Sequence, residues 1–565
     1  MKKTNNKILK ALCLAMAVIM TAGTLSSCGA AANQKGDVQD GYANANGEYR
    51  PQTQDEENID KQASNEYNDY MSEMQADNAI EEFIPNAEDY AEYAENGYKL
   101  VADAPLSTFS VDVDTASYSN VRRMLQNGER VNPDAVRTEE FINYFSYDYP
   151  QPKEGEPVSI TTELSDCPWN DESKLMLVGL QAEEIEVTER PAMNLVFLID
   201  VSGSMMDENK LPLVQQAFSM LAEGLDKNDR ISIVTYAGED RVVLEGETGN
   251  NYREITDALG SLEAGGATAG EAGINRAYEL AEEFFIQGGN NRVILATDGD
   301  LNVGISSADE LTRLVEKKRE SGVYLSVLGF GTGNLKDDRL EALADNGNGN
   351  YSYIDSIDEA RKVLVAEMSG TLFTVAKDVK IQLEFNPVNV AAYRLVGYEN
   401  RLLDDEDFTD DKKDAGDMGA GHTVTALYEI IPAKGVLGSE GASKIALKYQ
   451  ENSEEEQSAE PDRELIQDDK LREELLTVKL RYKEPEEEES KEIQSIVKVS
   501  DYSESAQKNL AFAACAAEFA MYLSESEYSD VTPAEIIDSL DSQGLITDDY
   551  RREMRDLLEI AAIDN

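Results

Sequence analysis

Histidine is nearly absent from this chain: His422 is the only one in 565 residues. No H-E-x-x-H stretch, Walker loop or nucleophile elbow is present either, which leaves little to support a hydrolase. His422 itself follows the acidic stretch DDEDFTDDKKDAGD and reads as a solvated loop residue, not a general base. Positive charge is scarce: 51 Lys and Arg stand against 111 Asp and Glu, a net charge of −60. A field of that sign repels nucleic acid and anionic lipid, so nucleic acid is excluded as a partner, and the acid reads as a solvated exterior with acidic linkers. Only four cysteines occur. Two of them, Cys167 and Cys515, are distant in sequence and are expected as buried thiols. The length is too great for one core and predicts at least three domains.

What is present begins with an export pattern. MKKTNNKILK carries four lysines and no acid, ALCLAMAVIMTAGTL is apolar but short for a membrane span, and LSSC follows at Leu25–Cys28. The ending resembles the lipobox of bacterial lipoproteins, which implies cleavage after Ser27 and acylation of Cys28. Residues 1–27 are expected as the signal and residues 28–100, rich in Asn, Gln, Asp, Glu, Ala, Gly and Tyr, as a disordered acidic tether. The expected location is extracytoplasmic, at the cell membrane or envelope, with acyl chains holding a body too acidic to adsorb unaided.

Residues 101–190 contain helical patterns at Val121, Met124 and Leu125 and in VRTEEFINYF, then two strand-like runs, VSITTEL and KLMLVGLQA, on either side of the turn CPWN. Matching strands follow much later, within 368–500: VKIQLEF (379–385), TVTALYEII (423–431), SKIALKY (443–449) and ELLTVKLRY (474–482). These segments predict a β-sandwich interrupted by an inserted domain. The acidic runs between and after them, EPEEEESKE among them, read as loops or linkers, and residues 501–565 as helices, one opened by the capping box TPAE at Thr532–Glu535.

The inserted segment, 191–367, has another rhythm. NLVFLIDVS, DRISIVTYAG, NRVILATDG and VYLSVLGFG are near-continuous apolar runs, as parallel strands show when both faces are covered. Between them Leu211, Val214, Phe218, Leu221 and Leu225 share a helical face, as do Ile274, Ala277, Tyr278, Ala281 and Phe285, and Leu311, Leu314 and Val315. The fold class predicted is α/β: a doubly wound, mostly parallel, Rossmann-like sheet inserted between sandwich-forming segments, with C-terminal helices.

In such a sheet, ligands bind beyond the carboxyl ends of the strands. Asp200, Ser202 and Ser204 stand just there in FLIDVSGSMMD, and their oxygens suit a hard divalent cation. Thr268 in GGATAGEAG and Asp298 in ATDGD offer further oxygens at other strand ends. This five-point set resembles the metal-ion-dependent adhesion site of the von Willebrand factor type A (vWA) domain. The resemblance implies Mg²⁺, with Mn²⁺ or Ca²⁺ as alternatives, and a protein partner whose acidic side chain completes the coordination. FSVDVDTASYSNVRR, RTEEFINYF, CPWN, TDGDLNVG, DNGNGNYSYID and AAEFAMYL, across roughly 100–560, resemble the bacterial YfbK-like lipoproteins.

Five further residues are weighed and set aside. Asp300 is expected to face solvent, Met205 and Met206 to pack under the first helix, and Asp112 and Asp114 to be turn and cap residues. The functional expectation is a tethered, non-enzymatic protein that captures a partner through a cation. The alternatives are a structural envelope scaffold with a cation-stabilised domain and, behind it, a metal-dependent hydrolase.

Overall fold

The computed structural model describes residue 88 and residues 90–563, apart from 186–189, 238–239, 267–269, 300–307, 333–334, 368–372, 414, 440, 442–470, 486 and 488. The export signal, Cys28, most of the tether, Thr268, Asp300 and the expected strand 443–449 lie outside the described residues. Packed structure reaches back into the stretch expected as tether: Glu88 pairs with Arg123 at 3.0 Å, and β1 (Lys99–Leu100) joins a sheet.

Along the chain, β1, β2 (Leu106–Ser110), β3 (Val158–Asp166) and β4 (Lys174–Ala182) come first. Six strands follow: β5 (Met193–Asp200), β6 (Arg230–Tyr236), β7 (Asp240–Thr248), β8 (Asn290–Thr297), β9 (Tyr324–Phe330) and β10 (Tyr351–Ile354). The last group is β11 (Thr374–Phe385), β12 (Val390–Val396), β13 (Gly416–Gly419), β14 (Thr423–Pro432), β15 (Glu474–Lys483) and β16 (Ser490–Lys498).

The first and last groups interleave into two antiparallel sheets, one ordered β1-β12-β14-β4-β3, the other β13-β11-β15-β16 with β2 beside β11. Stacked rings of Phe385 and Tyr393, 4.0 Å between centroids, join them. KLMLVGLQA is apolar almost throughout because β4 is covered on both sides. Met176, Val178 and Leu180 face the sandwich core, whereas Leu175 and Leu177 pack with Phe141, Phe145, Phe512 and Phe519 of the helical layer. That layer comprises helices Ala116–Gln126 and Thr138–Asn143 with the C-terminal helices Lys508–Leu523, Pro533–Ser542 and Asp549–Ile563. In Lys508–Leu523 every residue from Leu510 to Met521 is buried, which the run of alanines permits. Thr532 and Glu535 form the expected capping box. Cys167 and Cys515 are both free and buried, and burial pushes each thiol up to about 12.

The inserted domain has sheet order β10-β9-β8-β5-β6-β7, parallel except for the edge strand β7. From β5 the chain steps one way, to β6, and from β8 the other way, to β9; the reversal falls between β5 and β8, the point where α/β sheets bind ligands. Leu195, Phe197 and Ile199 pack under helix Leu211–Glu223, and Val196 and Leu198 with Ile274, Ala277 and Ala281 on the other face. Among the described residues no helix is long and apolar enough to cross a membrane.

Several expectations need correction. Phe285 lies past the end of its helix, Gly270–Glu283, and is exposed. Met205 is buried as expected, but Met206 is 70% exposed. His422 is half-buried between β13 and β14, where burial pushes its imidazole down to about 4. Asp112 and Asp114 are not simple turn and cap residues: Asp114 accepts the Tyr351 N–H at 2.9 Å, and both carboxylates face Arg401, at 3.8 and 3.0 Å. Part of EPEEEESKE, expected as linker, enters the edge strand β16.

Candidate metal centre

At the end of β5 the backbone leaves the sheet with Asp200 fully buried beneath it. Its Oδ1 accepts the Ser202 N–H at 2.8 Å, which curls the loop back over the strand end. Its Oδ2 accepts the Thr297 hydroxyl at 3.3 Å, tying β5 to the end of β8, and Thr297 Oγ1 in turn accepts the Gly299 N–H at 3.2 Å. The Ser202 and Ser204 hydroxyls lie 3.0 Å apart, Ser202 buried and Ser204 exposed. Asp298, 1% exposed, is near enough to Asp200 for its charge to act on that carboxyl.

The structure therefore brings together four of the five expected residues: Asp200, Ser202, Ser204 and Asp298. Thr268 lies outside the described residues, but the segment before it is anchored at the same loop. Gly265 N–H donates to Val201 O at 2.7 Å, and Gly203 N–H donates to Gly266 O at 3.2 Å. Gly266 has φ +96°, a conformation that favours glycine.

The two aspartates differ in how their charge is met. Asp298 receives the Lys210 ammonium at 3.0 Å. Asp200 has hydrogen-bond donors but, among the described residues, no ion-pair partner, and burial pushes its carboxyl up to about 6. Next to it the buried Tyr236 hydroxyl has no hydrogen-bond partner among the described residues. Buried carboxylates are costly unless paired or bound to a cation. A divalent ion fits this set: two carboxylates and two hydroxyls supply hard oxygens, and water can fill the remaining positions. Among the described residues no group of three or more His, Cys, Asp or Glu is placed to hold a metal, and the candidate site here combines carboxylates with hydroxyls instead.

Lys210 escapes a reading of the sequence alone. Its signal was a lysine at the entrance to a helix whose N-terminus needs no cation. Its stem runs over Gly331, where an added Cβ would collide with the Lys210 side chain and where φ is +77°. The Gly331 carbonyl is fixed by the Tyr353 hydroxyl, which donates to it at 2.6 Å.

Comparison with known proteins covers most of the described residues. Residues 194–365 match the family model for the von Willebrand factor type A domain. Residues 84–177 match one described as von Willebrand factor, and residues 370–563 one described as the C-terminal region of the uncharacterized protein YfbK. YfbK of Escherichia coli (strain K12) is 42% identical over 486 residues, covering 84% of this chain and 81% of that protein. Inter-alpha-trypsin inhibitor heavy chain H3 of Pongo abelii is 28% identical over 257 residues, 42% of this chain and 29% of its own. Among solved structures, a von Willebrand factor type A protein from Catenulispora acidiphila has a TM-score of 0.37 at 17% identity, covering 74% of this chain and 88% of that one. Taken with the doubly wound sheet described above, the family matches show that the chain belongs to the YfbK family of von Willebrand factor type A domain proteins.

Proposed function

We propose that this protein is a lipid-anchored, extracytoplasmic binding protein that captures a protein partner through a divalent cation, Mg²⁺ first and Mn²⁺ or Ca²⁺ as alternatives. Asp200, Ser202, Ser204, Thr268 and Asp298 hold the cation. The cation supplies a Lewis-acidic position that takes an acidic side chain of the partner, and no turnover is involved. Cys28 carries the acyl chains that fix the body to the membrane.

The observation that carries this reading is Asp200: a fully buried carboxylate with no ion-pair partner among the described residues, at the point where the strand order reverses. Since vWA domains commonly mediate protein–protein contacts, a partner's carboxylate is the natural last ligand. The chain's net charge of −60 opposes an acidic partner at long range, so the partner's wider surface is neutral or basic and the attraction is local.

The test uses the protein as bait for envelope extract in Mg²⁺, in EDTA, and with Asp200→Ala. A protein retained only by wild type with Mg²⁺ supports the reading; the same set in all three refutes it. Cys28→Ser, followed in membrane and soluble fractions, tests the anchor: release to the soluble fraction is expected, and unchanged membrane association contradicts it.

A further inference from the structure

We propose that Lys210 is a resident cation of the metal site, one that weakens binding of the divalent ion and, once the ion is bound, makes the site accept an acidic side chain. The inference rests on the cation reading above and adds what sets its selectivity.

Lys210 is 5% exposed, and its ammonium donates to Asp298 Oδ2 at 3.0 Å. This is a built contact. The stem crosses the one face of Gly331 that a side chain would block, at a residue already held in the left-handed region. Asp207, 3.9 Å from the ammonium, is 72% exposed, and water screens it. The carboxylates of Asp200 and Asp298 with the Lys210 ammonium leave the empty site one negative charge. A divalent cation turns that into one positive charge, and one carboxylate from a partner brings it to zero. Were the lysine neutral, the loaded site would already be uncharged, and a further buried carboxylate would carry an unmet charge. Lys210 therefore acts in opposite directions on the two binding steps: it repels the metal and helps recruit the carboxylate. A role in packing alone gives no such opposition.

The experiment titrates the purified protein and its Lys210→Met and Lys210→Gln variants with Mn²⁺, read by the paramagnetic resonance of the free ion. It then adds acetate, the minimal carboxylate, and follows loss of coordinated water by the relaxation of solvent protons. Both variants are expected to bind Mn²⁺ roughly tenfold more tightly, the order expected for removing a nearby unit charge in a partly screened site. They are expected to bind acetate at least as many times more weakly. Unchanged or weaker Mn²⁺ binding, or unchanged acetate binding, overturns the proposal. If neither variant folds, Lys210 is a residue of the core and the proposal also fails. A wild type that binds no Mn²⁺ refutes the cation reading itself, which is a separate result.

Discussion

The central sheet has an acid-rich cluster at each end, and the two are met differently. At the amino ends of the strands, Asp112, Asp114, Glu341 and Asp345 converge on Arg401, which lies 3.8, 3.0, 2.8 and 2.6 Å from them. At the carboxyl ends, Asp298 has Lys210 while Asp200 has no ion pair among the described residues. The first cluster is closed by a guanidinium of the chain's own, contributed by the sandwich, and it joins two parts of the fold. The second is left one cation short, beside two serine hydroxyls at the rim. The same residue type serves architecture where the chain supplies the counter-charge and binding where it does not.

Removing Arg401 should break the comparison most severely. Arg401→Met leaves four carboxylates facing one another and is expected to cost about 3–5 kcal/mol, read by thermal or denaturant unfolding. The wild type carries a trace of the same strain. Burial pushes Asp112 and Glu341 up to about 7, against the pull of Arg401. A carboxyl raised in the folded state holds its proton more tightly there than when unfolded, so stability falls as pH rises from about 4, the ordinary carboxylate value, to about 7. The melting midpoint is therefore expected to drop between pH 5 and 8, more steeply in Arg401→Met. His422, pushed down to about 4, works the other way but is one group against several.

Asp200→Asn should change stability with the opposite sign. It removes a buried charge with no chain cation beside it and is expected to stabilise the cation-free protein by about 1–2 kcal/mol at pH 8 while abolishing Mn²⁺ binding. A loss of stability like that of Arg401→Met would mean that the two clusters are alike. Gly331→Ala, which puts a Cβ against the Lys210 stem at φ +77°, is expected to cost about 1–3 kcal/mol and to dislodge the lysine from Asp298. Its Mn²⁺ affinity should then move with that of Lys210→Met. The smallest effect belongs to Ser204→Ala: the residue is exposed, so stability should stay within about 0.5 kcal/mol while Mn²⁺ affinity falls several-fold.

Much of this was legible in the sequence where local pattern and burial agree. The apolar runs of β5, β8 and β9 announced parallel strands, and the break from Ile199 into Asp200, Ser202 and Ser204 marked a strand end that wants oxygen. KLMLVGLQA matched β4 residue for residue, because two covered faces leave a near-continuous apolar run. The losses have one physical source, which is that a tertiary partner overrides local composition. The start of β16 looked like a linker because an edge strand beside β15 can carry Lys and Glu on its exposed side. Asp114 looked like a cap because Arg401, 287 positions away, is invisible to spacing. Lys210 carried no clear signal in the sequence, and only the fold brings Asp298 and Gly331 to it.

The most direct test of the account is the stoichiometry of Mn²⁺ bound by wild type and by Asp200→Asn, both shown to be folded at the same pH. The account predicts one specific ion in the wild type, competed by Mg²⁺, and none in the variant. Equal binding by both, or no binding by either, would contradict it.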